Sequence, residues 1–139
     1  MSLRIVGDTN FWLSVAGWSG SSRRLYQALL AEKFIHLTST EILAELGRIL
    51  RVVPGFTDDE IYTWYCEIGN FSILVPPHLP LNERITICRD PDDNKFLECA
   101  LWGQADILIS RDKDLLVLDG YRGLRIQRPE ALWSLLEQV

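Results

Sequence analysis

The chain has 139 residues, of which 47% are hydrophobic, and it carries a formal net charge of −5 at pH 7. This size predicts one domain over residues 1–139 with its own core, and no apolar stretch approaches the roughly 20 residues that span a bilayer. We therefore expect a cytoplasmic protein with no membrane partner. The negative charge argues against a broad nucleic-acid-binding face. It leaves room for a local basic track, because eleven of the fourteen basic residues are arginines.

Apolar strand-like runs alternate with segments of helical period, and this alternation predicts an α/β fold with a parallel sheet covered on both faces. The predicted strands are 3–7, 35–38, 72–75, 106–110 and 124–127. The predicted helices are about 22–33, 40–51, 58–69, 91–103 and 129–138. Thr57 and Glu60 predict a capping box, Asp90 followed by Pro91 predicts a helix start, and Pro54 predicts a helix stop.

The cysteines and histidines form no pattern that is typical of metal binding or covalent catalysis. Cys66, Cys88 and Cys99 are odd in number and have no CxxC spacing, so we expect buried thiols. His36 falls in a predicted strand and His78 in the Pro-rich loop 76–80, without a Ser/His/Asp or HExxH arrangement. Catalysis by histidine is therefore not expected.

Two acidic residues stand just past predicted strands. Asp8 follows the first strand, and Asp112 follows the strand 106–110. Ligand sites in open parallel sheets lie beyond the carboxyl ends of the strands, near a switch in strand order. Both residues therefore point at the same edge, although Asp8 alone also suits a turn and Asp112 alone also suits the cap of a helical turn.

Two further acids lie on predicted helices. Glu45 projects on the flank of the apolar stripe of helix 40–51, where an ordinary solvated glutamate is an equally good explanation. Asp93 points inward with Phe96 and Leu97, and an ionised carboxylate that faces a core must be neutralised, paired or bound to metal. The alternative explanation of Asp93 is an aspartate that the helix dipole favours at a helix start, a role that Asp92 can also fill.

Carboxylates gathered at one edge, without histidine or cysteine, suit Mg²⁺ or Mn²⁺ better than zinc or copper. Without a cation such acids would repel one another and raise one another's pKa values. With one or two ions bound, the site could polarise a phosphate and activate a water molecule.

The chain resembles the PIN-domain ribonucleases, and in particular the VapC-like toxin components of prokaryotic toxin–antitoxin pairs. The segments that carry this resemblance span almost the whole chain in the family's order. They are Ile-Val-Gly-Asp-Thr-Asn at 5–10, Leu-Ala-Glu-Leu at 43–46, Asp-Pro-Asp-Asp-Asn-Lys-Phe-Leu-Glu-Cys-Ala at 90–100 and Ala-Asp-Ile-Leu-Ile-Ser-Arg-Asp-Lys-Asp-Leu at 105–115.

The resemblance implies a three-layer α/β/α sandwich with a central, mainly parallel sheet. It also implies a homodimer that is restrained by an antitoxin protein and cuts single-stranded RNA by hydrolysis assisted by Mg²⁺ or Mn²⁺. Carried over residue by residue, the catalytic acids and metal ligands are Asp8, Glu45, Asp93 and Asp112. Supporting roles fall on Asn10, Ser110 and Asp114, and tentative contacts to the substrate phosphate fall on Arg111 and Lys113.

Two other functions are compatible with part of this pattern. A non-catalytic PIN-like module would hold RNA or a protein without using the four acids in hydrolysis. A phosphoryl-transfer domain, such as a receiver or a haloacid-dehalogenase-like phosphatase, also has an acidic pocket. The phosphatase is disfavoured because it would carry Asp-x-Asp after its first strand, where this chain has Asn10 in the third position.

Overall fold

The computed structural model describes residues 2–16, 20–52, 55–76 and 84–137, and the side chains within 14–23 and at 137 are outside this description. No helix in these ranges is long and apolar enough to cross a membrane. The predicted helix stop at Pro54, most of the predicted loop 76–80 and His78 lie outside the described residues.

All five predicted strands are present: β1 (Arg4–Gly7), β2 (Ile35–Thr38), β3 (Ser72–Leu74), β4 (Ile107–Ile109) and β5 (Arg125–Gln127). The helices are α1 (Thr9–Ala16), α2 (Gly20–Leu30), α3 (Thr40–Val52), α4 (Asp58–Asn70), α5 (Asn94–Trp102), α6 (Lys113–Leu116) and α7 (Pro129–Glu137). The sequence did not predict α1, because its first residues have turn chemistry. The predicted helix 91–103 begins as a 3-10 turn, Pro91–Asp93, and becomes α-helical at Asn94.

The strands form one fully parallel sheet in the order β3-β2-β1-β4-β5, so the predicted parallel sheet is confirmed. β1 is central. Ile5 pairs with His36 of β2 on one side and with Ile107 of β4 on the other. The chain leaves β1 toward β2 and later returns to the other side at β4, which places the switch in strand order between β1 and β4. Ligands of such sheets bind beyond the carboxyl ends of the strands at this switch.

Alternate residues of the central strands enter two separate cores. Ile5 and Ile107 pack with side chains of α1, α2, α4 and α7, whereas Val6 and Leu108 pack with side chains of α5 and α6. Helix α3 contributes to both cores. Each fully buried aliphatic side chain stabilises the fold by about 1.5–3 kcal/mol relative to an exposed one. The result is the predicted three-layer α/β/α arrangement.

A buried histidine fixes the end of β1. The N–H of Gly7 donates to Nε2 of His36 over 3.2 Å, and Nδ1 of His36 lies 2.7 Å from the hydroxyl oxygen of Ser72. Burial lowers the pKa of His36 to about 3, so the ring is neutral at pH 7. Since Nε2 accepts, Nδ1 carries the proton and donates to Ser72. His36 therefore has a structural contact to the residue that precedes Asp8.

We predict that Gly7→Ala destabilises the protein by about 1–3 kcal/mol, because a methyl group there would overpack a buried site. The added Cβ would lie 2.6 Å from a ring carbon of Phe11 and 3.2 Å from Nε1 of Trp12, and both rings are buried. Gly69→Ala in α4 is the control, since no heavy atom lies within 4 Å of its Cβ position. We expect that control to be neutral or up to about 1 kcal/mol stabilising. Urea unfolding measures both, and equal effects would contradict the packing argument.

Candidate metal centre

Asp8 is the acid that lies deepest at the switch point. It follows β1 directly and is 3% exposed. Its Oδ1 accepts the N–H of Phe11 over 2.8 Å, and its Oδ2 accepts the hydroxyl of Ser110 over 2.6 Å. Burial raises the pKa of Asp8 to about 6 although both hydrogen bonds favour the ionised form, and the charges of Asp112 and Glu45 raise it further.

Ser110 links the ends of the two central strands. This residue follows β4 and is fully buried. Its hydroxyl donates to Asp8, and its oxygen accepts the N–H of Asp112 over 2.9 Å. One hydroxyl therefore sets the position of both acids.

Asp112 and Asp114 stand together at the start of α6. Asp112 caps this short helix, because its Oδ1 accepts the N–H of Asp114 over 2.9 Å. The cap orients the Asp112 carboxylate and places Asp114 in the first turn of the helix. The helical turn therefore contributes two acids to the site, where the sequence alone favoured one and left the second as an extra.

Asp93 has a buried carboxylate oxygen that no donor satisfies. Its Oδ2 accepts from no donor among the described residues, and a side-chain hydrogen bond with Asp112 favours the protonated form of the carboxyl group. Burial, followed by the charges of Asp112 and Asp90, raises the pKa of Asp93 to about 7. An orphaned buried oxygen is costly unless a ligand satisfies it. The neighbouring Asp92 is exposed, so the inward direction predicted for Asp93 holds.

Three carboxylates form one cluster, Asp93, Asp112 and Asp114, in which one oxygen of each lies within 4.8 Å of the others. No other such group of acids, histidines or cysteines occurs among the described parts of the chain. Asp8 borders the cluster through its interaction with Asp112. An all-oxygen donor set with an unsatisfied buried oxygen fits a hard divalent cation such as Mg²⁺ or Mn²⁺.

Glu45 is near the cluster but is bound to other groups. Its Oε2 accepts the hydroxyl of Thr9, and its Oε1 lies 3.2 Å from Nζ of Lys95. The structure therefore brings Glu45 to the predicted site and separates it from the group of three. The sequence analysis singled out neither Thr9 nor Lys95. Each lies within two residues of a predicted acid, and this proximity is the sequence feature that could have identified them.

Helix α5 also holds the segment that enters the site. Glu98 is 3% exposed. Its Oε2 accepts hydrogen bonds from Nε of Arg84 over 2.5 Å and from the N–H of Ile85 over 3.3 Å. Asn94 accepts the N–H of Cys88 over 3.0 Å. These contacts fix residues 84–88 against α5 and place the following Arg89 beside the acids.

The basic residues near the site differ in their partners. Arg111 pairs with Glu130 over 2.5 Å, and that contact occupies the guanidinium that the sequence assigned to a substrate phosphate. Lys113 is exposed at the start of α6. Arg89, with 87% of its side chain exposed, reaches Asp114 at 3.9 Å. Asn10 is exposed in α1.

Comparison with known proteins identifies the family. The sequence model of the PIN domain matches residues 4–114. An uncharacterized protein of Methanocaldococcus jannaschii, MJ1680, is 31% identical over 124 residues, which cover 85% of this chain and 76% of that protein. The chain therefore belongs to the PIN domain family. PIN domains are typically nucleases, and they generally bind RNA and divalent metal ions.

A solved structure with the same fold is the crystal structure of PAE2754 from Pyrobaculum aerophilum. It aligns with a TM-score of 0.68 at 16% sequence identity, over 100% of this chain and 98% of that chain. This likeness supports the fold alone.

We predict that the metal-free protein loses stability as the pH rises from about 5 to 8. An ordinary aspartate has a pKa of about 3.9 in the unfolded chain, whereas Asp8 and Asp93 titrate near 6 and 7 in the folded one. Between these values the folded state binds more protons, so the contribution of these two groups to stability is fully present below the unfolded pKa and is lost as the pH rises through the folded pKa values.

Asp93→Asn removes one of these ionisations and should therefore flatten the pH dependence. We expect it to raise the free energy of unfolding at pH 8 by about 1 kcal/mol, a value reduced for the partial exposure of this side chain. Asp92→Asn, at the exposed neighbouring position, is the control and should leave the slope unchanged. Denaturant unfolding in EDTA at pH 5 and pH 8 measures the effect, and identical slopes for all three proteins would exclude Asp93 as the source.

Proposed function

We propose that this protein is a metal-dependent endoribonuclease that hydrolyses phosphodiester bonds in single-stranded RNA, and that it is the toxin of a toxin–antitoxin pair. The observation that carries the nuclease proposal is the cluster of Asp93, Asp112 and Asp114, in which a buried oxygen of Asp93 has no hydrogen-bond donor among the described residues. Membership in the PIN family supports the same chemistry. The site lies where open parallel sheets bind ligands.

In this proposal Asp93, Asp112 and Asp114 hold the cation, while Asp8 and Glu45 complete the acidic site. A bound Mg²⁺ or Mn²⁺ would polarise the phosphate and lower the pKa of an attacking water. Ser110 keeps Asp8 and Asp112 in fixed positions, so the acids need little rearrangement when substrate arrives. Attack by water leaves a 5′-phosphate and a 3′-hydroxyl, and the 2′-hydroxyl serves only in recognition.

Contacts to the substrate phosphate belong to exposed basic residues at the mouth of the site. Lys113 is exposed beside Asp112, and Arg89 is exposed beside Asp114. Arg111 would have to leave Glu130 before it could contact a phosphate. We therefore place the first phosphate contacts on Lys113 and Arg89, with Arg111 as a further one when its ion pair opens.

The antitoxin partner, the homodimer and the cytoplasmic location stay predictions that follow from the resemblance to PIN-family toxins. Expression of the protein alone and together with the product of the adjacent gene would test the toxin role. We expect growth arrest in the first case and relief in the second. Equal growth in both cases would contradict the toxin role and leave the nuclease proposal intact.

A non-catalytic RNA-binding module is the second candidate, and one surface favours it. A groove between α3 and α4 is lined by Arg48, Arg51, Tyr62 and Tyr65, together with Asp58 and Asp59. Arginine and tyrosine suit unpaired RNA, since they contact phosphates and stack on bases. A module of this kind would bind RNA equally well after substitution of the acids and would not cleave it.

The deciding experiment is cleavage of a labelled single-stranded RNA in Mn²⁺ or Mg²⁺. We expect Asp8→Asn, Asp93→Asn and Asp112→Asn each to reduce the cleavage rate by about 100-fold or more, because each removes a charge that the metal-assisted reaction needs. EDTA should abolish cleavage, and the products should carry 5′-phosphates.

Asp92→Asn is the matched control and should cleave at nearly the rate of the unaltered protein. Cleavage that survives all three acid substitutions would contradict the proposed site. Binding of the RNA without any cleavage by the unaltered protein would favour the binding module.

A further inference from the structure

Lys95 is a nearly buried cation inside the acidic site. Its side chain is 11% exposed, and Nζ lies 3.2 Å from Oε1 of Glu45. The same nitrogen donates to the backbone carbonyl of Asp92 over 2.5 Å. A lysine held by a carboxylate and a carbonyl has lost most of its freedom to leave, so its charge is a fixed part of the site.

Both oxygens of Glu45 are engaged by donors of the protein itself. Lys95 holds Oε1 and the hydroxyl of Thr9 donates to Oε2. Asp93 differs, because its Oδ2 is buried and accepts from no donor among the described residues. The acids therefore divide into a Glu45 side, which Lys95 contacts directly, and an Asp93 side, on which Lys95 acts only through its charge.

A divalent cation next to Glu45 would have to displace the ammonium of Lys95 or lie close to it. Displacement would leave a lysine with little access to water, and close approach would place two positive charges together in a partly desolvated site. Both penalties are smaller at Asp93, Asp112 and Asp114, where three carboxylates lie together and Lys95 acts on Asp93 only through its charge. The charge balance thus favours one cation position over two.

We propose that Lys95 is the resident cation of this site: it occupies the Glu45 side, keeps Glu45 from binding metal directly and leaves a single divalent-cation position at Asp93, Asp112 and Asp114. This inference rests on the proposed metal-dependent function and makes it more specific. Glu45 then acts as a positioning residue that holds Lys95 and Thr9.

Titration calorimetry with Mn²⁺ tests this division without any RNA. The unaltered protein should bind one Mn²⁺ per chain. Glu45→Gln should change the affinity by less than about threefold, since Glu45 does not touch the ion. Asp93→Asn should weaken binding by more than about tenfold. Lys33→Gln, which replaces an exposed lysine in the turn before β2, is the charge-matched control and should leave binding unchanged.

Removal of the lysine charge should release Glu45. We expect Lys95→Met to bind a second Mn²⁺, or to bind the first at least about fivefold more tightly. The double variant Lys95→Met with Glu45→Gln should lose that gain, and Lys95→Arg, which keeps the charge, should still bind one ion. Urea unfolding of each variant identifies any variant that fails to fold. If Lys95→Met fails to fold, the Mn²⁺ affinity of Glu45→Gln alone decides the question.

Two results would overturn the inference: two Mn²⁺ ions on the unaltered protein, or a loss of affinity in Glu45→Gln as large as that in Asp93→Asn. The outcome is separable from that of the cleavage assay. The expected Mn²⁺ pattern without RNA cleavage would support the role of Lys95 and refute the proposed nuclease. RNA cleavage with two bound ions would support the nuclease and refute the role of Lys95.

Discussion

The hydrogen bond from Ser110 to Asp8 joins the ends of β1 and β4, and the acidic site is organised around it. The two residues are 102 positions apart in sequence and become neighbours because β1 and β4 pair in parallel. The same hydroxyl oxygen accepts the N–H of Asp112. The sheet register therefore determines where the carboxylates stand, and a shift of one residue would turn Ser110 into the opposite layer.

Concentrating acids at this edge has an electrostatic cost that the protein relieves unevenly. Two hydrogen bonds hold Asp8, and Lys95 and Thr9 hold Glu45. Asp93 is left with a buried oxygen that accepts from no donor among the described residues, and its pKa is raised to about 7 by burial and by Asp112. A carboxyl group with a raised pKa and an unsatisfied oxygen, beside acids that are held by hydrogen bonds, is characteristic of a functional site.

Helix α5 connects the site to the rest of the fold. The helix anchors residues 84–88 through Asn94 and Glu98, and its N-terminal end presents Lys95, together with Asp93 of the preceding 3-10 turn, to the acids. The helix packs through Leu97 and Ala100, both fully buried, against the sheet. Because its core face is closely packed, the positions of Asp93 and Lys95 follow from the position of the whole helix.

Much of this protein follows from local sequence. The period-two and helical patterns predicted the five strands and the parallel sheet, and Asp90 before Pro91 predicted the cap, since those signals depend on neighbouring residues alone. They failed at α1, where Asp8 and Thr9 have turn chemistry but instead begin a helix whose Phe11 and Trp12 are buried. Tertiary burial there outweighed local preference.

The sequence also predicted which acids approach the switch point, because strand ends and helix faces can be inferred from spacing. Only the tertiary structure decided how those acids divide. It placed Asp114 with Asp93 and Asp112, paired Glu45 with Lys95, and turned Arg111 toward Glu130. These pairings depend on distances between side chains that are far apart along the chain or that point in directions set by packing. No local pattern of residues encodes such distances.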